Sequence, residues 1–124
     1  MPARKYVLVV DDDPSMLTSM KRLLREHGFD TELFDSAKAL LSHPDFSGAF
    51  CIVLDINLRD GSGIDLRRRL ADEGVSLPVI YITGNDNPRT RSAAIESGCI
   101  AYLTKPFVAK SLIEPIERAS AEAA

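Results

Sequence analysis

The sequence predicts an α/β protein, an open doubly wound sandwich with a five-stranded parallel sheet and five helices. Five short runs of strand length, Tyr6 to Val10, Thr31 to Phe34, Cys51 to Leu54, Val79 to Ile82 and Ala101 to Thr104, are rich in β-branched and aromatic residues. Segments with helical spacing lie between them, so strand and helix alternate five times, and each crossover is long enough to join parallel neighbours. Four of the five runs are apolar nearly throughout, which requires burial on both faces, as in a parallel sheet covered by helices. Thr31 to Phe34 is the exception and reads as an edge strand.

The first helix is legible on its faces and at both ends. Met16, Met20, Leu23 and His27 form one stripe and Leu17, Met20 and Leu24 another. Asp13-Pro14 supplies an N-cap followed by proline at the first helical position, and Gly28 stands where a left-handed C-terminal cap belongs. A second helix is expected from Ser36 or Ala37 to Ser42 and a third from about Gly63 to Asp72. Asn87-Pro88 and Gly98 repeat the first helix's punctuation around a fourth helix through Arg91 and Ile95. The last begins near Ala109, with Leu112, Ile116, Ala119 and Ala123 on one face, and its Ala-rich end, Ala119 to Ala124, is expected to fray.

Composition narrows the function. The 124 residues form one domain, 1–124, without repeat or linker. Lysine and arginine number 15 against 18 acidic residues, a net charge of −3, which disfavours direct binding to nucleic acid or to an anionic membrane. Cys51 and Cys99 read as two buried thiols of a reducing compartment. The run Tyr6 to Val10 is too short for a signal segment or a membrane span, so a soluble, cytoplasmic chain is expected. Arg67-Arg68-Arg69 reads as a solvated helix face, and His27 and His43 as isolated structural or exposed residues.

Ligands of such sheets sit outside the carboxyl ends of the strands. The first strand ends in Asp11-Asp12-Asp13, the third in Asp55, the fourth in Thr83-Gly84 and the fifth in Thr104-Lys105-Pro106. Two carboxylates about 4 Å apart repel by roughly 4 kcal/mol at an effective dielectric of 20, so something cationic must offset them. Lys105 offers one charge, and a hard divalent cation with oxygen ligands suits the rest; magnesium fits a few carboxylates with room for water and phosphate oxygens. Each residue also has a plain structural role available: Asp13 as the helix cap, Asp55 as a turn start, Thr83 as a strand-end cap, Lys105 as a solvated lysine. Their coincidence at one sheet edge favours the functional reading.

Over essentially its whole length the chain resembles the receiver domain of bacterial two-component response regulators, with a flavodoxin-like strand order 2-1-3-4-5. Val9-Val10-Asp11-Asp12-Asp13 is similar to the family's acidic cluster, and Leu54-Asp55 to its phosphoacceptor. Ile82-Thr83-Gly84 resembles its hydroxyl followed by a small residue, and Tyr102-Leu103-Thr104-Lys105-Pro106-Phe107 its lysine-proline motif with a switch aromatic. The resemblance implies that Asp55 takes a phosphoryl group from a phosphohistidine of a sensor histidine kinase or histidine phosphotransfer protein. It implies Mg2+ held by Asp11, Asp12, Asp55 and the backbone carbonyl of Asn57, with Thr83 and Lys105 binding phosphoryl oxygens. The domain would catalyse its own magnesium-dependent phosphorylation and dephosphorylation without being an enzyme on another substrate. Gly84 would leave access to the pocket, a cis peptide would precede Pro106, and Asn57 and Asn85 would tune the lifetime of the phosphorylated form. Thr83 and Tyr102 would couple the site to the surface of the fourth helix, fifth strand and fifth helix. That face would control an effector domain or downstream protein and allows a homodimer.

The sequence departs from the family's pattern at Arg59, where many relatives carry proline, at Val108, where a capping aspartate is common, and at Pro115. Pro115 is expected to kink the last helix and alter its output face. Two rival readings are weaker. A haloacid-dehalogenase-like phosphatase would use Asp11-x-Asp13 but leaves Asp55 unexplained, and an unphosphorylated interaction domain does not explain why all five site positions are filled.

Overall fold

The computed structural model describes residues 6–43 and 45–123. In chain order the elements are β1 (Tyr6–Val10), α1 (Pro14–Glu26), β2 (Asp30–Phe34), α2 (Ala37–Leu41), β3 (Ala49–Asp55), β4 (Asn57–Leu58) and β5 (Gly61–Ser62). They continue with α3 (Gly63–Asp72), β6 (Val79–Thr83), α4 (Pro88–Glu96), β7 (Ala101–Thr104) and α5 (Ala109–Ala123). Five strands form one parallel sheet in the order β2-β1-β3-β6-β7, which is 2-1-3-4-5 when only these strands are counted. The fold is the expected five-stranded, doubly wound one. The stretch read as a plain loop after Asp55 contains a small antiparallel hairpin, β4-β5, pairing Asn57 with Ser62 and Leu58 with Gly61.

Successive side chains of a strand point to opposite faces, and each face here has its own core. Val7 and Val9 of β1 pack with Ile80, Ile82, Met20, Leu24, Leu112 and Ile116. Leu8 and Val10 pack on the other side with Ile52, Leu54, Leu40, Leu66, Leu70 and Tyr81. Helices α1 and α5 therefore cover one face, and α2, α3 and α4 the other. β2 is half-buried, as an edge strand should be.

The helix ends follow the local chemistry read from the sequence. The Asp13 carboxylate accepts from the Ser15 N–H at 2.9 Å ahead of Pro14, and Asn87 accepts from the Thr90 N–H at 2.9 Å ahead of Pro88. At the other end of α1, Gly28 has φ +84° and lets the Phe29 N–H reach back to the Leu24 carbonyl at 2.9 Å, satisfying a carbonyl the helix leaves open.

The proline at position 115 does not interrupt α5, which runs from Ala109 to Ala123 with Pro115 buried among the core-facing residues. A buried ring faces the sheet side, so it does not add a feature to the outer face, and the anchoring by Leu112, Ile113 and Ile116 holds the turns on either side in place. The helical path also reaches Ala123, against the expected fraying; Ala124 lies outside the described residues. Arg67 is not part of a solvated face: its guanidinium donates to the carbonyls of Ser97 at 2.7 Å and Gly98 at 3.1 Å, serving carbonyls that the end of α4 leaves without helical partners. Arg68 and Arg69 are exposed as expected. Of the two thiols, Cys51 is buried, its pKa pushed up to about 12 by burial, whereas Cys99 is only partly buried.

Ile116 is fully buried and Ile95 is 61% exposed. Ile116→Ala should lower the free energy of unfolding by about 2–5 kcal/mol in urea titrations, while Ile95→Ala should change it by less than about 0.5 kcal/mol.

Candidate functional site

Strand register assembles the site. Val10 lies opposite Leu54 across β1-β3, Asp55 opposite Ile82 across β3-β6, and Thr83 opposite Thr104 across β6-β7. The residues at or just past these positions, Asp11, Asp55, Thr83 and Lys105, therefore share one edge of the sheet although they are far apart in sequence. Asp11 and Thr83 are fully buried and Asp55 is 3% exposed, so these polar groups depend on one another for partners.

Those partners are present. Lys105 Nζ donates to Asp11 Oδ2 and to Asp55 Oδ2, each at 3.0 Å. Asp55 Oδ1 accepts from the Asn57 N–H at 2.8 Å, and Asp11 Oδ1 from the Asp13 N–H at 2.9 Å. The Thr83 hydroxyl donates to Asn57 Oδ1 at 2.8 Å and accepts from the Asn85 N–H at 3.0 Å. The Lys105-Pro106 peptide is cis. Asp12, partly buried, offers a carboxylate oxygen to the same cluster, in which one oxygen each from Asp11, Asp12 and Asp55 lies within 4.8 Å of the others. An all-oxygen, carboxylate-rich donor set without imidazole or thiolate suits a hard divalent cation such as magnesium. Asp13 remains the helix cap and is not part of the cluster.

The electrostatics follow from this crowding. Burial raises the pKa of the Asp55 carboxyl, the Asn57 N–H and Lys105 pull it back down, and the neighbouring Asp11 charge adds to the rise. For Lys105, burial pulls the pKa down, but the hydrogen bonds and charges of Asp55 and Asp11 together outweigh it and the net direction is up. The ammonium is thus held charged by the carboxylates it joins.

Tyr102 lies half-buried on β7 with its hydroxyl turned outward, donating to Asp86 Oδ1 at 2.8 Å. Asp86 is ion-paired with Arg91 of α4, whose guanidinium carbon lies 5.4 Å from the centroid of the Tyr102 ring. Asp86 stands three residues past Thr83, so one short loop links the site hydroxyl to the tyrosine's anchor.

Several contributors were not read from the sequence. Gly63 is one: a Cβ there would collide with the backbone carbonyl of Asp55, so only glycine lets α3 start so close to the site. Asp60 is another, accepting from the N–H groups of Ala37 and Lys38 at 3.0 Å each and tying the loop after Asp55 to the start of α2. The Gly61-Ser62-Gly63 run was a visible signal for close approach; the Asp60 and Asp86 contacts had no local signal. At Gly84 a Cβ would meet only Lys105 Cδ at 3.9 Å, an ordinary contact, so alanine fits there.

Residues 7–117 match the family model described as response regulator receiver domain. Response regulator protein TodT of Pseudomonas putida is 32% identical over 113 residues, 91% of this chain and 50% of that protein. Transcriptional regulatory protein FixJ of Rhizobium meliloti is 35% identical over 115 residues, 92% of this chain and 56% of that protein. The crystal structure described as FixJ-N superposes with a TM-score of 0.82 at 32% identity, covering 98% of this chain and 96% of that one. The fold and the acidic strand-end site define a receiver domain of two-component signalling. The chain belongs to the response regulator receiver domain family, in which phosphorylation acts as a switch. It spans about half the length of the relatives just described. Among the described residues no helix is long and apolar enough to cross a membrane.

A carboxyl whose pKa is raised on folding binds its proton more tightly in the folded state, so it lowers stability as pH rises from its ordinary value of 3.8 through the raised one. Asp55→Asn has no such titration. In magnesium-free buffer it should melt at a higher temperature than the wild type at pH 7, with the difference closing once pH falls below 3.8.

Proposed function

We propose that this chain is a single receiver domain in which Asp55 accepts a phosphoryl group from the phosphohistidine of a sensor histidine kinase or histidine phosphotransfer protein. An Asp55 carboxylate oxygen forms the new P–O bond as the P–N bond breaks; the imidazole nitrogen keeps that electron pair and takes a proton from solvent. The observation that carries this reading is the convergence of Asp11, Asp12, Asp55, Thr83 and Lys105 at one sheet edge, with Asp55 the carboxylate bonded by both Lys105 and the Asn57 N–H.

Phosphoryl transfer depends on alignment and on neutralising charge more than on covalent help from the protein. Asp11, Asp12, Asp55 and the backbone carbonyl of Asn57 would hold Mg2+, which when bound supplies charge neutralisation for the phosphoryl oxygens. Lys105 turns its ammonium from the paired carboxylates toward a phosphoryl oxygen. Thr83 leaves Asn57 and donates its hydroxyl to another. That turn draws on the loop carrying Asp86, and the hydrogen bond that holds the Tyr102 hydroxyl outward gives way. Asn57 and Asn85 flank the approach of hydrolytic water and set the rate at which the phosphoryl group is lost.

The outer surface of α4, β7 and α5 then carries the signal to an effector domain, a downstream protein or a second copy of the chain. Ile95, Ile100 and Val108, at 61%, 43% and 68% exposure, give that region apolar side chains that a partner can cover. The domain works in the cytoplasm and catalyses its own phosphorylation and dephosphorylation; its charge balance supports no direct contact with nucleic acid.

Intact-mass spectrometry after incubation with acetyl phosphate tests this. The wild type should gain one phosphoryl group in the presence of magnesium and none after chelation. Asp55→Asn should gain none in either case. Labelling that persists in Asp55→Asn would move the acceptor elsewhere.

A further inference from the structure

Arg59, in the turn between β4 and β5, has no part in the function described so far, yet it lies against the carboxylate cluster. Its backbone N–H donates to Asp12 Oδ2 at 2.9 Å, and its side-chain Nε lies 3.8 Å from the same oxygen. The backbone bond keeps residue 59 beside Asp12 whatever its side chain does. The side chain itself is 83% exposed, so the guanidinium is tethered close to the cluster but free to swing. Lys105 pairs with Asp11 and Asp55, and Arg59 with Asp12. Each carboxylate of the cluster therefore has a side-chain cation beside it.

We propose that Arg59 is a tethered counter-ion that weakens magnesium binding to the free protein and strengthens binding of an anion on Asp55 once the metal is in place. This rests on the reading of Asp11, Asp12 and Asp55 as metal ligands. The sign comes from counting charges. Three carboxylates, one ammonium and one guanidinium leave the site one charge negative. A divalent cation then makes it one charge positive, whereas without the guanidinium the same cation would make it neutral, so Arg59 opposes the metal. A dianionic group on Asp55 reverses this. With Asp11 and Asp12 it brings four negative charges, which a divalent cation, Lys105 and Arg59 together neutralise; without Arg59 one negative charge is left over. The same guanidinium therefore acts in opposite directions on the two binding steps, against the metal and in favour of the anion.

Because the side chain is exposed, each effect should be about two- to five-fold in affinity and should shrink as salt is raised. Calorimetric titration of the full chain tests both halves: Mg2+ alone, and then beryllium trifluoride anion at saturating Mg2+, which with the Asp55 carboxylate forms a dianion. Arg59→Ala keeps the backbone donor and removes the charge. It should bind Mg2+ alone about two- to five-fold more tightly than the wild type and beryllium trifluoride more weakly by a similar factor, while Arg59→Lys should follow the wild type in both. Opposite signs in the two titrations are what a merely structural role does not produce, since a loosened loop weakens both. No change in either, or a change of the same sign in both, overturns the proposal. Absence of Mg2+ binding in the wild type and in both variants would instead overturn the ligand assignment beneath it.

Discussion

The Lys105 ammonium, 3.0 Å from both Asp11 and Asp55, is the contact on which the rest of the site depends. A parallel sheet with β1 and β3 adjacent brings those two carboxylates together at its edge, where one is fully buried and the other nearly so. Left alone they would repel each other and take up protons. Removing the shared lysine would be strongly destabilising, of the order of 3–5 kcal/mol, because two buried carboxylates would be left uncompensated, whereas loss of the Asp55 charge leaves Lys105 paired with Asp11. The lysine directly follows β7, at the opposite margin of the sheet from β2, so the whole strand order must form before the charges balance. The result is a site with negative charge in excess of what its own lysine offsets, a condition that suits a divalent cation.

The same sheet edge leads outward along one helix. α4 is held at its C-terminal end by the Arg67 guanidinium on the Ser97 and Gly98 carbonyls and by the Ser97 hydroxyl, which lies 2.8 Å from the hydroxyl of the buried Tyr81. At its N-terminal half the ties are of another kind: Arg91 to Asp86, and Asp86 to Tyr102, between side chains at or near the surface. Exposed charge pairs contribute about 0–1 kcal/mol each, far less than a satisfied buried network. The helix thus has one firm end and one more easily released end. Tyr102 lies at the released end.

Much of this is legible in the sequence. Continuous apolar runs such as Tyr6 to Val10 and Val79 to Ile82 indicate two-sided burial, and Asp13-Pro14 with Gly28 marks a helix whose caps form as written. The strand-end residues could be collected because parallel strands all finish at one edge, which turns four separate sequence positions into one place. What escaped was of two kinds. Contacts between loops far apart in sequence, such as Asp60 on the start of α2, have no periodicity to betray them. Arg67 escaped because a run of three arginines on a helix reads as solvent-facing, although the helical turn aims one of the three at the open carbonyls of α4. Pro115 removes one helical donor, and burial of the turns before and after it keeps α5 continuous.

A crystal structure of the chain with magnesium and beryllium trifluoride would test the central claim most directly, because it locates the anion and reads the switch at once. The account predicts beryllium bonded to an Asp55 oxygen, the Lys105 ammonium and the Thr83 hydroxyl both on fluorine atoms, and the Tyr102 hydroxyl no longer on Asp86. An adduct bound anywhere other than Asp55, or one on Asp55 that leaves Thr83 on Asn57 and Tyr102 on Asp86, would contradict it.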